Sequence, residues 1–164
     1  MDVKNKRVVV TGAASGIGKA LCEAFHEADA QSIVAVDMNL DGAQETADSV
    51  NGIAVQANVG NEKDIIDVIQ KADEYVGGTD IFCSNAGIGG VPGFFEVEAS
   101  DWQNIWDVNV QSHIFAAKHV LPQMIERGEG YLVNTSSAAG LLTQLGAAGY
   151  SAVSYTHLTL PTKW

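Results

Sequence analysis

Residues 8–18 read Val-Val-Val-Thr-Gly-Ala-Ala-Ser-Gly-Ile-Gly, and the amphipathic run 19–28 follows at once. An apolar strand that turns on glycines into a helix aims backbone N–H groups and the positive helix end at one point. That arrangement suits a phosphate or pyrophosphate. Gly12, Gly16 and Gly18 give the spacing GxxxGxG rather than GxGxxG. Asp37 closes the next apolar run, about twenty residues after the turn. An acid there accepts hydrogen bonds from adenosine ribose hydroxyls and repels a 2′-phosphate; alternatively it is the N-cap of the following helix. No Arg or Lys stands in the glycine turn or just after Asp37. NAD is therefore favoured over NADP.

The elements that must position these groups alternate. Strands are expected at Arg7–Thr11, Ser32–Asp37, 53–57, 80–83 and 130–135, and helices at 16–28, 40–50, Glu62–Val76 and 101–127. The last helix is expected to be capped by Ser100 or Asp101, kinked at Pro122 and stopped by Gly128. Strands that are apolar throughout and separated by helices imply a parallel sheet covered on both faces. Right-handed crossovers give an α/β Rossmann-like doubly wound sheet, strand order 3-2-1-4-5, with the groove at the carboxyl ends of strands 1, 2 and 4.

Composition narrows the function classes. The chain has 164 residues, enough for one domain with a core. Its formal charge of −11 argues against nucleic acid and anionic membrane as partners. Cys22 and Cys83 lie in predicted helix and strand, with no metal-ligand spacing around them. Two reduced core cysteines, no metal and a cytoplasmic location are the expectation. The polar start fits no signal peptide, and no apolar run is long enough to span a bilayer.

Further along stand Asn85-Ala86-Gly87 after strand 4, Asn109 within Val-Asn-Val, Ser137 within Asn-Thr-Ser-Ser-Ala-Ala-Gly, and Tyr150. Together with Thr11-Gly-Ala-Ala-Ser-Gly-Ile-Gly18, in this order and spacing, they resemble the short-chain dehydrogenase/reductase family over residues 6–152. The resemblance implies hydride exchange between an alcohol and a ketone or aldehyde, with a nicotinamide cofactor. It implies Tyr150 as acid/base, Ser137 as orienter of the substrate oxygen and Asn109 as holder of a relay water. Cofactor contacts are implied at Gly12, Ser15, Gly16, Ile17, Gly18, Asp37, Met38, Asn58, Val59, Asn85, Ala86 and Gly87. Two departures are Ser84, where the family usually has a second Asn, and Asn58, where an Asp usually meets the adenine. The Asn58 amide oxygen can still accept.

A tyrosine hydroxyl gives a proton to a nascent alkoxide and takes one back in oxidation. Free tyrosine titrates near ~10, so a neighbouring cation must favour the phenolate. In the family a lysine one helical turn later supplies it. Here that position is Ser154, and Lys163 is out of register. The text also changes: Val153-Ser-Tyr-Thr-His-Leu-Thr-Leu-Pro-Thr162 is Thr-rich, holds Pro161 and has no helical period. A DNA string encoding it resembles a transposon-end sequencing adapter. The expected division is thus an incomplete NAD-binding domain at 1–152 and a non-native tail at 153–164. The tail should be poorly packed beyond a helical stub at 149–152, and the chain should not turn over.

The leading function is an NAD-dependent oxidoreductase acting on a small-molecule alcohol or carbonyl. The alternative is a non-catalytic nucleotide-binding domain, or an inactive fragment, lacking the catalytic lysine. An epimerase or dehydratase of related extended families fits the glycine spacing less well. Segments 89–95 and 141–149 should line an apolar substrate pocket. Apolar residues of the long helix, among them Trp102, Ile105, Trp106, Val110, Ile114 and Phe115, exceed what one sheet face can bury. A homodimer or homotetramer of the parent enzyme follows as an expectation.

Overall fold

The computed structural model describes residues 2–90, 93, 95, 97–142 and 145–156. Five parallel strands, β1 (Arg7–Thr11), β2 (Ser32–Asp37), β3 (Ile53–Gln56), β4 (Ile81–Ser84) and β5 (Tyr131–Asn134), form one sheet in the order β3-β2-β1-β4-β5. This is the doubly wound α/β order expected from the alternation of elements. Helices α1 (Gly16–Glu27), α2 (Leu40–Ser49) and α3 (Glu62–Val76) connect the first four strands.

The strands read as continuous apolar runs because both sheet faces are covered. Side chains alternate across a strand. Val8, Val10, Ile33, Ala35, Ile81 and Cys83 pack with Cys22 of α1 and Ala47 of α2. Val9, Val34, Val36 and Phe82 pack on the other face with Ile65, Val68 and Ile69 of α3. Each fully buried Val, Ile or Phe side chain contributes about 1.5–3 kcal/mol. Cys22 and Cys83 are free and buried, and burial pushes both thiols up to about 12, which leaves them protonated and inert.

Local chemistry sets the helix ends. The Asn39 side chain accepts from the Gly42 N–H at the start of α2, and Asn61 accepts from Lys63 at the start of α3. Gly77 (φ 82°) and Gly128 (φ 71°) take the left-handed turns that end two helices.

The expected long helix 101–127 differs in three respects. It begins two residues earlier, as α4 (Ala99–Trp106) capped by Glu98, not by Ser100 or Asp101. Asp101 instead supplies the return half of a capping box, accepting from the Glu98 N–H at 2.9 Å. A π-helical turn at Asp107–Gln111 then separates α4 from α5 (Ser112–Arg127). Pro122 stands inside α5, which continues through it to Arg127.

The chain after Gly146 also departs from expectation. Helix α6 (Ala148–Tyr155) continues three residues past the expected stub. Val153 is buried against Ile105 and Val110, so its apolar side chain holds the helix where periodicity alone gave no signal. The rest of the expected tail, with Lys163, lies outside the described residues. Among the described residues no helix is long and apolar enough to cross a membrane.

Candidate active site

The carboxyl ends of β1, β4 and β5 are tied together by three side chains. Thr11 Oγ1 donates to the Cys83 carbonyl (3.2 Å) and accepts from the N–H groups of Asn85 (2.9 Å) and Ala86 (3.1 Å). Asn85 Nδ2 donates to the Thr11 carbonyl (3.0 Å), and Thr135 Oγ1 donates to Asn85 Oδ1 (2.9 Å). This fixes the turn Asn85-Ala86-Gly87 beside the glycine turn. A side chain on Gly12 would come within 2.9 Å of Ala86 Cα, and one on Gly18 would overlap the Gly12 carbonyl oxygen. Gly16 (φ 54°) is different: a Cβ there meets nothing within 4 Å, because it faces open space.

Asp37 reaches across from β2. Its Oδ2 accepts from the Ala14 N–H and its Oδ1 from the Asn39 N–H, each at 3.0 Å. The capping role belongs to Asn39, so Asp37 is a strut between β2 and the glycine turn. Each carboxylate oxygen keeps a further lone pair toward the groove. At the start of α1 the N-cap residue Ser15 makes no side-chain bond to the first-turn N–H groups. Those donors and the positive helix end remain directed at the groove.

Three adjoining spaces gather every residue to which the resemblance gives a catalytic or cofactor role. The largest, about 860 Å³, runs past Gly12, Ser15, Gly16, Ile17, Gly18 and Asp37 to Asn85, Ala86, Gly87 and Tyr150. A side branch of about 480 Å³ is walled by Met38, Asn58 and Val59. A cavity of about 400 Å³ holds Asn109, Ser137 and Tyr150. Ala86 and Gly87 border all three. The glycine cradle, the uncapped N–H groups and Asp37 fit a dinucleotide.

Local bonding refines several expectations. The Asn58 amide oxygen accepts from the Gly60 N–H at 3.0 Å, so only its second lone pair remains for a base. The Asn109 side chain pairs reciprocally with Ile88, accepting from its N–H (2.8 Å) and donating to its carbonyl (2.9 Å). That amide anchors the loop after β4, and Asn109 itself lies in the π turn. Ser137 Oγ accepts from the Ala139 N–H at 3.1 Å, leaving its hydroxyl hydrogen to donate into the cavity. Ser154 Oγ donates to the Tyr150 carbonyl at 2.6 Å and is buried, so it offers Tyr150 Oη no charge.

The two segments expected to line the substrate pocket meet through Gly93 and Ala147. Phe95, Leu141, Leu142 and Leu145 are exposed rather than packed into a pocket. Residues 91, 92, 94, 96, 143 and 144 lie outside the described residues. Sequence reasoning missed Thr135, Ile88 and His113 as parts of the site. Thr135 sits inside a motif already quoted, which was the available signal; Ile88 acts through its backbone and gives none.

A parallel doubly wound sheet with a glycine cradle at its carboxyl edge is an architecture shared by nucleotide-binding α/β proteins. Residues 6–154 match the short chain dehydrogenase family. An uncharacterized oxidoreductase of Staphylococcus aureus strain MRSA252 is 33% identical over 153 residues, 90% of this chain and 65% of the relative. A 3-oxoacyl-[acyl-carrier-protein] reductase of Vibrio cholerae serotype O1 is 32% identical over 154 residues, 93% of this chain and 63% of the relative. The 1-deoxy-11-beta-hydroxypentalenate dehydrogenase of Streptomyces exfoliatus is 31% identical over 168 aligned positions, 98% of this chain and 61% of the relative. The chain belongs to the short chain dehydrogenase family. It spans slightly under two thirds of the length of these relatives.

Proposed function

We propose that this chain carries the NAD(H) and proton-transfer site of an oxidoreductase that interconverts a small-molecule alcohol and a ketone or aldehyde. The observation that carries the reading is the continuous groove from the glycine turn and Asp37 to Tyr150. The dinucleotide supplies or accepts the hydride when bound. Gly16 leaves room for its pyrophosphate, the first-turn N–H groups of α1 meet the phosphate charge, and Asp37 takes the ribose hydroxyls. Asp37 also opposes a 2′-phosphate by charge, which favours NAD over NADP. Tyr150 Oη gives the proton to the carbonyl oxygen, and the Ser137 hydroxyl donates to the same oxygen and aligns it. Asn109 fixes the loop that borders the site.

Ser154 in the turn after Tyr150 favours a second reading, a nucleotide-binding domain without turnover. A neutral hydroxyl bonded to backbone does nothing for a phenolate, so alcohol oxidation by this chain is expected to be undetectable. A homodimer or homotetramer of the parent enzyme remains our expectation. Of the helix side chains counted toward that surface, Ile105 and Val110 are buried in the chain's own core, whereas Trp106 and Ile114 are exposed, joined by Leu121 and Ile125 of α5.

Calorimetric titration with NADH and NADPH tests the reading. Binding of NADH, weaker binding of NADPH and retention of both in Tyr150→Phe are expected. No binding of either dinucleotide by the folded chain would end it.

A further inference from the structure

Gly42 lies in the first turn of α2 and lines none of the three spaces that gather the site residues. Its surroundings are nevertheless tight. A Cβ added there would stand 2.8 Å from the Ala14 Cβ, 3.0 Å from Asn39 Nδ2 and 3.3 Å from the Ala14 carbonyl oxygen. Ala14 belongs to the glycine turn, and its Cβ cannot move without the backbone that carries it. Gly42 is therefore where the start of α2 packs directly on the glycine turn.

The same two segments share Asp37. Its Oδ2 accepts from the Ala14 N–H in the glycine turn, and its Oδ1 accepts from the Asn39 N–H at the N-cap of α2, each at 3.0 Å. Asn39 in turn accepts from the Gly42 N–H through its own side chain, at 3.2 Å. Asp37, Asn39, Gly42 and Ala14 thus form a closed ring of three hydrogen bonds and one packing contact. The carboxylate keeps both bonds only while its two N–H donors keep their separation. How closely Gly42 approaches Ala14 sets that separation.

We propose that Gly42 is a positioning residue for the choice of dinucleotide: by packing its bare Cα on Ala14 it holds the Asp37 carboxylate in register with the ribose hydroxyls. The inference rests on the reading above in which Asp37 meets that ribose. A Cβ at Gly42 forces α2 and the glycine turn apart, so the carboxylate keeps one donor and turns with it. NADH then loses a fixed acceptor for its hydroxyls. NADPH carries a phosphate on one of those hydroxyls and has less to lose. Helix propensity acts in the opposite direction. Alanine suits a helix better than glycine and keeps the N–H that Asn39 caps, so a merely local role for Gly42 predicts a gain in stability and no change in preference.

Paired titrations of the full chain with NADH and NADPH test the proposal. Gly42→Ala should weaken NADH binding roughly three- to fivefold and NADPH binding by less. In the Asp37→Ala background it should narrow the preference no further, because both changes act through one carboxylate. An unchanged preference, or equal narrowing with and without Asp37, overturns the proposal. The double variant Gly42→Ala/Ala14→Gly moves the methyl across the contact and should restore the preference. It decides by itself if Gly42→Ala does not fold, and a narrowed preference there overturns the proposal. Exchange of the Ala14 amide hydrogen for deuterium, read by NMR, needs no ligand. Gly42→Ala should speed it roughly tenfold, as Asp37→Ala should. Unchanged exchange overturns the proposal. If the unmodified chain binds neither dinucleotide, the parent reading falls, and the exchange alone decides whether Gly42 holds Asp37.

Discussion

The two ends of the sheet solve the same problem in opposite ways. Both must satisfy the polar groups where strands stop. At the amino end Asp80 is closed in by its own chain. The Arg7 backbone N–H and Nε donate to its Oδ2 at 3.0 and 2.8 Å, and Nη2 donates to Oδ1 at 2.6 Å. Arg127 adds a bond to the Thr79 carbonyl and stands 3.7 Å from Asp80. The Arg7 guanidinium holds the Asp80 carboxyl below the usual carboxylate range. At the carboxyl end Asp37, Ser137 and the first turn of α1 are each only partly engaged. Closed bonding stabilises a fold; half-used bonding leaves capacity for a ligand.

That contrast is sharpest at Tyr150. Tyr150→Phe should lower any carbonyl reduction by about a thousandfold while the melting temperature and NADH affinity stay near those of the unmodified chain. A matching drop in thermal stability would mean that the hydroxyl is structural, like the groups at the opposite end.

Asp80→Asn should do the reverse. It leaves two guanidinium groups beside a neutral amide, at a cost of about 2–4 kcal/mol, read by urea denaturation, with NADH binding unchanged. The acid dependence follows from the same bond. Because the folded carboxyl titrates below its unfolded value of ~3.9, its contribution is complete above that pH. It fades as pH falls through the lower folded value. The variant should lose less stability between pH 5 and pH ~2 than the unmodified chain.

Two glycines divide the turn itself between the two behaviours. Gly18→Ala should cost roughly 2 kcal/mol, since its Cβ would overlap the Gly12 carbonyl. Gly16→Ala should cost only about 1 kcal/mol for its positive φ, yet weaken NADH binding more, because its Cβ enters the groove. Equal effects on binding would blur the distinction. The smallest effect is expected at Asp37: Asp37→Ala should narrow the NAD preference about tenfold in paired titrations with NADH and NADPH.

Much of this was legible in the sequence because the determinants are local. The glycine turn, Asp37, the strand–helix alternation and the strand order follow from side-chain periods and from the chirality of crossovers acting over short stretches. The π turn at Asp107–Gln111 was not legible, since one widened turn barely disturbs a helical hydrophobic period. The cap at Glu98 was missed because Ser100 and Asp101 are both good caps and only the fold chose the box.

The bonding of the site needed the tertiary structure. Thr11 and Asn85 are 74 positions apart, and Asn85 and Thr135 are 50 apart; only a sheet that sets β1, β4 and β5 side by side joins them. Val153 stands in a stretch whose composition gives no helical signal, and its burial against Ile105 and Val110 carries α6 to Tyr155. His113 reads from sequence as one more polar residue on an amphipathic helix, until the fold puts it on the wall of the Tyr150 cavity. Short-range preferences set which elements form and in what order they pair. Which polar groups are used up and which keep a free lone pair or hydrogen depends on desolvated contacts between distant segments, and those exist only once the sheet is packed.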